Sequence, residues 1–187
     1  MMKILGICCS PRLRGNTETM LQEALAKAQE EGAEVELVTL AGKTISPCDG
    51  CNSCRKTGEC HIKDDLQDIY PKLLEADGII FGTPVYMGTV CAQAKMLIDR
   101  TYVWLEARKL RNKAAGLVVT ARRVGTTSAF AVFTIFFNIH RMIMVGLAVG
   151  FSGTEKGKLK DHERGMADAG ALGKATVRRI QSYSIPN

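Results

Sequence analysis

The feature that most constrains the fold of this chain is the alternation of short apolar runs with longer amphipathic stretches. Residues 3–8 form an apolar run that suits a buried strand, whereas residues 17–31 repeat their apolar positions at the spacing of one helix face. Strands that alternate with helices are typical of a parallel sheet covered on both faces. The 187 residues are enough for one such domain and few for two.

The same pattern, followed along the chain, predicts an α/β fold. The predicted strands cover residues 3–8, 34–40, 78–82, 115–120 and 145–150. The predicted helices cover residues 17–31, 65–76, 90–110, 127–142 and 165–181. We expect Pro71 to kink the second helix or to make it begin anew. Five parallel strands with right-handed crossovers favour a flavodoxin-like three-layer sandwich with strand order 2-1-3-4-5, although another doubly wound order stays open.

Four cysteines lie close together in the connection after the second predicted strand. Their spacing is C-x2-C-x2-C-x5-C, formed by Cys48, Cys51, Cys54 and Cys60. Four thiolates are the usual ligands of a [4Fe-4S] cluster, so electron transfer is the first hypothesis. Zinc is an alternative, but structural zinc sites usually combine two Cys-x-x-Cys pairs from separate turns. Disulfides are a weaker alternative, because they would strain so short a loop.

The loop after the first strand has the composition of an anion site. It offers the hydroxyls of Ser10 and Thr17, the Asn16 amide and the Arg12 guanidinium beside a helix start. Neither Gly-x-Gly-x-x-Gly nor Gly-x-x-x-x-Gly-Lys-Ser/Thr is present, so an FMN phosphate suits the loop better than a dinucleotide or a nucleoside triphosphate. An ordinary turn that caps the helix is the alternative.

The loop after the third strand suits a flat ligand. Pro84 restricts the backbone, Tyr86 offers an aromatic face, and Gly88 lets the main chain approach closely. A plain Pro/Gly turn with a half-buried tyrosine is the alternative. Both loops leave the carboxyl ends of strands where the winding of the sheet reverses, which is where doubly wound sheets bind ligands. The two loops therefore support one another as an FMN site.

Several segments together resemble the iron–sulfur flavoprotein family, a branch of the NADPH-dependent FMN reductase-like flavoproteins. They are Ser-Pro-Arg-x-x-Gly-Asn-Thr at 10–17, the four-cysteine run, Ile-Lys-Asp-Asp at 62–65, the stretch at 75–86 and Lys-x-x-Ile-Asp-Arg at 95–100. The resemblance implies a flavodoxin-like fold, FMN and one [4Fe-4S] cluster per subunit, and a homodimer or homotetramer. It also implies electron transfer among a ferredoxin-type donor, the cluster, FMN and an acceptor.

Site residues follow from the resemblance position by position. It implies that the phosphate is held by Ser10, Arg12, Asn16 and Thr17. It implies that the isoalloxazine ring is lined by Pro84, Val85, Tyr86 and Gly88. It implies that iron is bound by Cys48, Cys51, Cys54 and Cys60. The loop at 121–126 departs from relatives, which often carry several glycines there; here Arg122 or Arg123 could stabilise an anionic reduced flavin or meet an acidic partner.

Two other functions stay open beside this redox function. One is an NAD(P)H-dependent FMN or quinone reductase in which the nicotinamide stacks directly on the flavin. The other is a flavin-binding regulatory module stapled by zinc, without turnover. Neither a Ser/His/Asp set nor a carboxylate pair competes as a catalytic centre, so the sequence predicts no catalytic side chain.

Composition and charge exclude further classes of protein. The formal charge is +6, but the basic residues are scattered, which argues against nucleic acid as a partner. Residues 124–139 carry no charge yet fall short of the ~20 residues that a bilayer requires, so a buried helix that also serves a subunit interface is expected. The chain begins directly with an apolar strand, which predicts a cytoplasmic protein. We expect one domain over 1–187, with a cluster loop at about 47–61.

The remaining thiols and the imidazoles are expected to be structural. Cys8, Cys9 and Cys91 lie in apolar runs, and packing is the favoured interpretation over a redox role. His61 could donate a hydrogen bond to a cluster sulfur, although a solvated side chain is favoured. The other two histidines, His140 and His162, have no partner at metal-ligand spacing.

Overall fold

The strands and helices follow the predicted alternation. The computed structural model describes residues 1–152 and 158–182. Its strands are β1 (Lys3–Cys8), β2 (Glu34–Thr39), β3 (Gly78–Tyr86), β4 (Thr89–Val90), β5 (Ala114–Ala121) and β6 (Ile143–Phe151). Its helices are α1 (Asn16–Glu30), α2 (Cys54–Thr57), α3 (Leu66–Glu75), α4 (Ala92–Arg100), α5 (Thr126–Ile139) and α6 (Glu163–Ser182). Short 3-10 turns cover Thr101–Trp104 and Lys158–Asp161.

Five of these strands form a parallel sheet in the order β2-β1-β3-β5-β6. This is the predicted order 2-1-3-4-5 once the short β4 is set aside, so the prediction of a flavodoxin-like sheet is confirmed. The strand β4 was not predicted. It pairs antiparallel with the end of β3 through a two-residue turn in which Met87 has φ +46° and Gly88 has φ +83°. Positive φ at both central positions suits the twist of a tight hairpin.

The largest differences from the predicted boundaries are at the ends of β3 and α4, and one predicted restart within a helix is not seen. The strand β3 continues past its predicted end at residue 82 to Tyr86, because its last residues pair with β4. The helix α4 ends at Arg100 instead of continuing to residue 110, and the segment behind it places Arg108 (φ +49°) and Asn112 (φ +66°) in a left-handed conformation that a helix cannot contain. The helix α3 continues without a restart through Pro71.

The core lies on both faces of the sheet. On one face α1 and α6 pack with their small and aliphatic side chains, including Leu21, Ala24 and Leu172. On the other face Phe81 of β3 contacts three phenylalanines of α5, with ring centroids 5.5–5.6 Å apart. These are Phe133, Phe136 and Phe137, all buried. The aromatic stripe of α5 is therefore core and not a flavin-binding surface.

One side of α5 is buried against the sheet, as expected, and its opposite side, which was expected to serve a subunit interface, is exposed in the single chain. Ile135 is 60% exposed and Ile139 is 54% exposed. The helix contains no charged residue along its whole length. Within 1–152 and 158–182, every helix is too short or too polar to cross a bilayer.

Candidate functional site

A cavity of about 470 Å³ opens at the carboxyl ends of β1, β3 and β5. It lies where the winding of the sheet reverses, and its size is within the ~300–1,000 Å³ of typical small-molecule sites. Seven of the eight residues predicted to contact FMN line it together: Ser10, Arg12, Asn16, Thr17, Pro84, Val85 and Tyr86. We call this cavity the switch-point pocket.

The loop from β1 to α1 gives the switch-point pocket a polar, positively charged wall. The Ser10 hydroxyl oxygen accepts a hydrogen bond from the Arg12 backbone N–H (3.1 Å), which folds the loop back on itself. The 15-residue helix α1 begins directly afterwards at Asn16, so its first N–H groups face the loop region where anions bind. Among the described lining residues are two arginines, Arg12 and Arg122, and no carboxylate. The pocket therefore suits a phosphorylated ligand.

Two polar contacts, which the sequence did not predict, fix the position of α1 against the rest of the pocket. The hydroxyls of Thr17 and Thr120 are 2.7 Å apart, and both side chains are buried. The Asn16 amide nitrogen donates to the Ser152 hydroxyl (2.6 Å). Asn16 thus also connects the pocket to the end of β6. The sequence feature that indicates Thr120 and Arg122 as pocket residues is their position. They lie at, and just after, the carboxyl end of the strand beside β3.

Gly88 lies outside the residues that line the pocket. It forms the hairpin turn between β3 and β4, and it supports the pocket from behind through Gly125 in the loop after β5. Gly125 has φ +94°, and a Cβ there would lie 2.6 Å from Val85 Cγ1 and 2.8 Å from the backbone of Gly88. The hairpin and this loop therefore pack backbone against backbone.

The four predicted metal ligands line a second cavity, of about 620 Å³, on the α4 and α5 side of the sheet. We call it the cysteine cavity. Its thiols are Cys48, Cys51, Cys54 and Cys60, all unpaired. Burial, followed by the neighbouring thiols of Cys60, Cys51 and Cys48, raises the pKa of Cys54. The four thiols thus share one cavity, and the other three lie near enough to Cys54 to affect its pKa, although the residues span thirteen positions of the sequence.

The spacing of these thiols bears on which metal they fit. A tetrahedral zinc ion with Zn–S bonds of about 2.3 Å places its sulfurs only ~3.8 Å apart. Among the described residues, the one group of three potential ligand atoms within 4.8 Å of one another is Asp49, Cys51 and His61, with a single sulfur. The thiols are therefore arranged more widely than a mononuclear zinc site requires, and four of them around one cavity fit the larger iron–sulfur cluster.

His61 has a partner, which differs from the favoured expectation of a solvated side chain. Its Nε2 lies 2.8 Å from Oδ2 of Asp49, and both side chains are about half exposed. The other carboxylate oxygen of Asp49 accepts the backbone N–H of Cys51 at 3.1 Å. Through its two contacts, Asp49 joins the turn after Cys48 to His61, which follows Cys60.

The three other thiols are fully buried. Burial raises the pKa of Cys8 to about 12, and burial likewise raises the pKa of Cys9 and Cys91. The Cys91 thiol lies 3.1 Å from the Cys9 carbonyl oxygen, to which it donates. At neutral pH these groups stay protonated, which agrees with the packing interpretation.

Comparison with known proteins decides the family. The sequence profile of the NADPH-dependent FMN reductase family matches residues 2–156. An iron–sulfur flavoprotein of Methanocaldococcus jannaschii is 43% identical over 189 aligned positions, which cover 96% of this chain and 98% of that relative. The chain belongs to the iron–sulfur flavoproteins, within the FMN reductase family. An iron–sulfur flavoprotein of Methanosarcina thermophila is 40% identical over 156 positions and covers 81% of each chain.

Solved structures agree on the fold of this iron–sulfur flavoprotein. The crystal structure of RosB with bound 8-demethyl-8-formylriboflavin-5'-phosphate superimposes with a TM-score of 0.78 and covers 99% of this chain and 82% of RosB. The sequence identity is 16%, so this likeness concerns the fold alone. It is a flavodoxin-like fold, as the strand order had indicated.

Proposed function

We propose that this iron–sulfur flavoprotein transfers electrons between a ferredoxin-type donor and an acceptor through a [4Fe-4S] cluster and FMN. Membership of the FMN reductase family makes the chain an oxidoreductase. One observation carries the more specific proposal: a single chain forms both a carboxylate-free, arginine-containing pocket at its switch point and a separate cavity lined by four thiols. We propose that both sites belong to one domain over residues 1–187.

In the switch-point pocket, the polar wall would bind the phosphate of FMN. Ser10, Thr17 and the first N–H groups of α1 would donate hydrogen bonds, and Arg12 would add positive charge. Asn16 would in addition hold α1 against β6, since its amide nitrogen donates one hydrogen bond to Ser152.

The opposite wall would hold the isoalloxazine ring. Pro84 and Val85 would contact it with apolar surface, and Tyr86 would offer an aromatic face. Arg122 would place a positive charge at the pocket, which favours an anionic, reduced ligand. Gly88 would contribute through the hairpin turn.

In the cysteine cavity, Cys48, Cys51, Cys54 and Cys60 would bind the iron. When both groups are bound, the cluster supplies single-electron transfer and FMN supplies transfer of one or two electrons. The apolar residues of α4 and α5 around the thiols would limit access of water to them. No carboxylate lines the switch-point pocket in the described part of the chain, so a proton for FMN would come from solvent.

The second candidate function is direct reduction of FMN by NAD(P)H. It is favoured by the exposure of the hairpin that borders the switch-point pocket, where Tyr86 is 39% exposed and Met87 is fully exposed. A nicotinamide would approach FMN from that open side. In this case the cluster that the four thiols would hold would supply single-electron transfer to the acceptor.

We also propose that the protein forms a homodimer or homotetramer through the outer face of α5. The exposed Ile135 and Ile139 lie on a helix without charged residues, and both also line the cysteine cavity. We expect light scattering to give a dimer or tetramer with cofactors bound, and Ile135→Lys to shift it towards monomer. Seven unpaired cysteines suit the reducing cytoplasm, where we place the protein.

Anaerobic reconstitution tests the proposed function. The protein is loaded with FMN, iron and sulfide, and iron, acid-labile sulfide, zinc and flavin are then measured beside the visible spectrum. We expect close to four irons and four sulfides per chain and broad absorbance near ~400 nm above the FMN bands. Stoichiometric zinc without sulfide would instead support a flavin-binding regulatory module in which zinc holds the cysteine loop together. Fast reduction by reduced ferredoxin together with slow reduction by NADPH would favour the ferredoxin-linked function. The reverse result would favour direct reduction of FMN by NAD(P)H.

A further inference from the structure

The cysteine loop is closed at its base by a cluster of polar contacts around one buried ion pair, which we call the loop neck. It consists of residues 44–46 before the cysteines, residues 62–65 after them, and Arg100 at the end of α4. Outermost, the Thr44 backbone N–H donates to Asp65 Oδ2 (2.7 Å), and the Asp65 backbone N–H donates to the Thr44 carbonyl oxygen (3.2 Å). The two ends of the loop thus meet at one place.

Arg100 contacts both ends of the loop at once. Its side chain is 0% exposed and pairs with Asp64 through two hydrogen bonds, from Nη1 to Oδ2 (2.7 Å) and from Nη2 to Oδ1 (3.2 Å). Its two terminal nitrogens also donate to the Ser46 carbonyl oxygen (2.9 Å) and the Ile62 carbonyl oxygen (3.3 Å). These carbonyls lie just before Cys48 and just after Cys60 in the sequence.

Asp64 completes the neck from the other side. Besides Arg100, its carboxylate accepts the backbone N–H groups of Ser46 (2.9 Å) and Leu66 (3.1 Å), so each oxygen receives two donors. A charge pair that is buried and surrounded by hydrogen bonds fixes geometry, because loss of either partner leaves the other charge uncompensated. The carboxylate therefore holds the ends of the loop against the start of α3.

The position of Arg100 does not depend on the cysteines. The Tyr70 hydroxyl of α3 donates to the Arg100 carbonyl oxygen at 3.0 Å. The next residue, Thr101, lies 3.0 Å from His140 Nε2 at the end of α5 and donates to the Ile98 carbonyl oxygen at 2.7 Å. Three helices thus fix the backbone from which the Arg100 side chain extends to line the cysteine cavity.

We propose that Arg100 and Asp64 are positioning residues of the metal centre, which hold the cysteine loop in its binding conformation before any metal enters. The proposal rests on the proposed function for its biological meaning, since it concerns the ligands of the cluster. It differs from metal-coupled folding, in which the metal itself organises the ligands. Here the organisation comes from one buried ion pair and its backbone contacts.

Limited proteolysis of the metal-free, FMN-loaded protein tests this directly. Trypsin can cut the loop at Arg55 or Lys56, which are both exposed. The two carboxylate oxygens of Asp64 accept four hydrogen bonds, whereas Asp64→Asn leaves only one side-chain oxygen as an acceptor. We therefore expect the neck to open more often in this variant. We expect cleavage at least about tenfold faster than in wild type, because cleavage follows the population of the open form.

The matched control removes an ion pair that also tethers the cysteine loop but is exposed. Arg55 pairs with Glu106, and both side chains are more than half exposed. Exposed ion pairs contribute little to stability, so Glu106→Gln should change the cleavage rate by less than about threefold. Each rate is first divided by the cleavage rate of an unfolded peptide of the same sequence. FMN affinity should stay within about twofold in both variants, because the switch-point pocket contains neither residue. Equal cleavage of wild type and Asp64→Asn, with FMN bound, would overturn the proposal.

Two further measurements keep the test informative if Asp64→Asn does not fold. Arg100→Lys keeps the charge but has three N–H donors on a single nitrogen, so it cannot reproduce the four hydrogen bonds that the two terminal nitrogens of Arg100 make. We expect intermediate cleavage. In metal-free wild type, hydrogen exchange of the Ser46 and Leu66 amides should be at least about tenfold slower than that of Cys51 and Lys56. The first two amides donate to the buried Asp64 carboxylate, whereas the last two donate to acceptors on the exposed loop, Asp49 and Ser53. Exchange of all four amides at similar rates would contradict a preformed neck.

Reconstitution with iron and sulfide separates this inference from the proposed function. If wild type binds a cluster, Asp64→Asn should lose iron to a chelator faster and give a more heterogeneous electron paramagnetic resonance signal, since its thiols no longer share one arrangement. An unchanged signal and unchanged iron loss would count against a positioning role. If wild type binds no iron at all, the proposed function fails, whereas the proteolysis and exchange results still decide whether the loop is preformed.

Discussion

The hydroxyl oxygens of Thr17 and Thr120 lie 2.7 Å apart and connect the first turn of α1 to the end of β5 inside the switch-point pocket. The two residues are 103 positions apart in the sequence. Each side chain is nearly inaccessible, so each hydroxyl depends on the other for its hydrogen bond. The relative position of the loop between β1 and α1 and the loop after β5 is thereby fixed before a ligand binds.

Thr120→Val should therefore weaken both stability and FMN binding. The change leaves the Thr17 hydroxyl buried without this partner, which costs about 1–3 kcal/mol of unfolding free energy. FMN affinity, measured by fluorescence quenching, should fall several-fold because α1 is held less firmly. As a control, Thr176→Val removes a buried hydroxyl of α6 that donates to Leu172 and should leave FMN affinity unchanged. Equal FMN affinity in wild type and Thr120→Val would contradict this role.

Gly125→Ala should destabilise the protein more than an alanine at another glycine of similar φ. The new Cβ would have to occupy space held by Val85 and by the Gly88 backbone, and the positive φ adds about 1 kcal/mol of strain. Gly42→Ala is the matched control, since Gly42 has φ +75° and nothing within 4 Å. Urea unfolding should show a loss of about 1 kcal/mol for Gly42→Ala and at least twice that for Gly125→Ala. Similar losses of unfolding free energy in the two variants would mean that the hairpin moves to make room for the new Cβ at little cost.

His140 should make stability depend on pH. Thr101 donates its hydroxyl hydrogen to Ile98, so it accepts from His140 Nε2–H, and the ring is neutral. Burial lowers the pKa of His140 below the ~6.5 of an unfolded chain. The unfolded state therefore gains a proton first on acidification. The associated stability is fully present above about pH 6.5 and is lost as the pH falls from there to the folded-state pKa, by at most ~1.4 kcal/mol per pH unit.

Urea unfolding of wild type and His140→Gln at about pH 7.5, 6.5 and 5.5 measures this contribution. The difference between the two proteins cancels the titration of other groups. We expect wild type to lose its advantage progressively towards pH 5.5. A difference that does not change with pH would show that His140 titrates alike in the folded and unfolded states.

Cys51→Ala should remove the iron and keep the flavin. Broad absorbance near ~400 nm should disappear after anaerobic reconstitution, whereas the FMN bands should stay because the switch-point pocket lies elsewhere. Cys8→Ala is the control: this thiol is fully buried in the core between α1 and the sheet, so its loss should affect stability and not iron content. Full iron content in Cys51→Ala would refute the ligand assignment.

Much of the architecture was predictable because apolar runs determine strands. The run at 78–82 predicted β3, and its place in the sheet follows from right-handed crossovers between parallel strands. The pocket loops were predictable for the same reason, since ligands of this architecture bind beside the carboxyl ends of strands. The apolar composition of α5 predicted burial, but half of the helix surface faces outwards in the single chain.

Long-range polar contacts were not predictable. Arg100 and Asp64 are 36 positions apart, and nothing in their local sequence distinguishes a buried pair from two solvated charges. The hairpin at Met87 and Gly88 was missed because the Pro-Val-Tyr segment was assigned to a ligand loop, whereas it extends β3 and forms the hairpin as well.

The meeting of Thr44 and Asp65 has an evolutionary consequence. A segment that leaves and rejoins a fold at one place can change its length or its cysteine spacing without moving the strands on either side, since closing a somewhat longer loop adds little entropic cost. We therefore expect the cysteine loop and the sheet that forms the switch-point pocket to vary independently among related proteins. A related protein could gain, lose or exchange its inorganic centre here and keep its flavin.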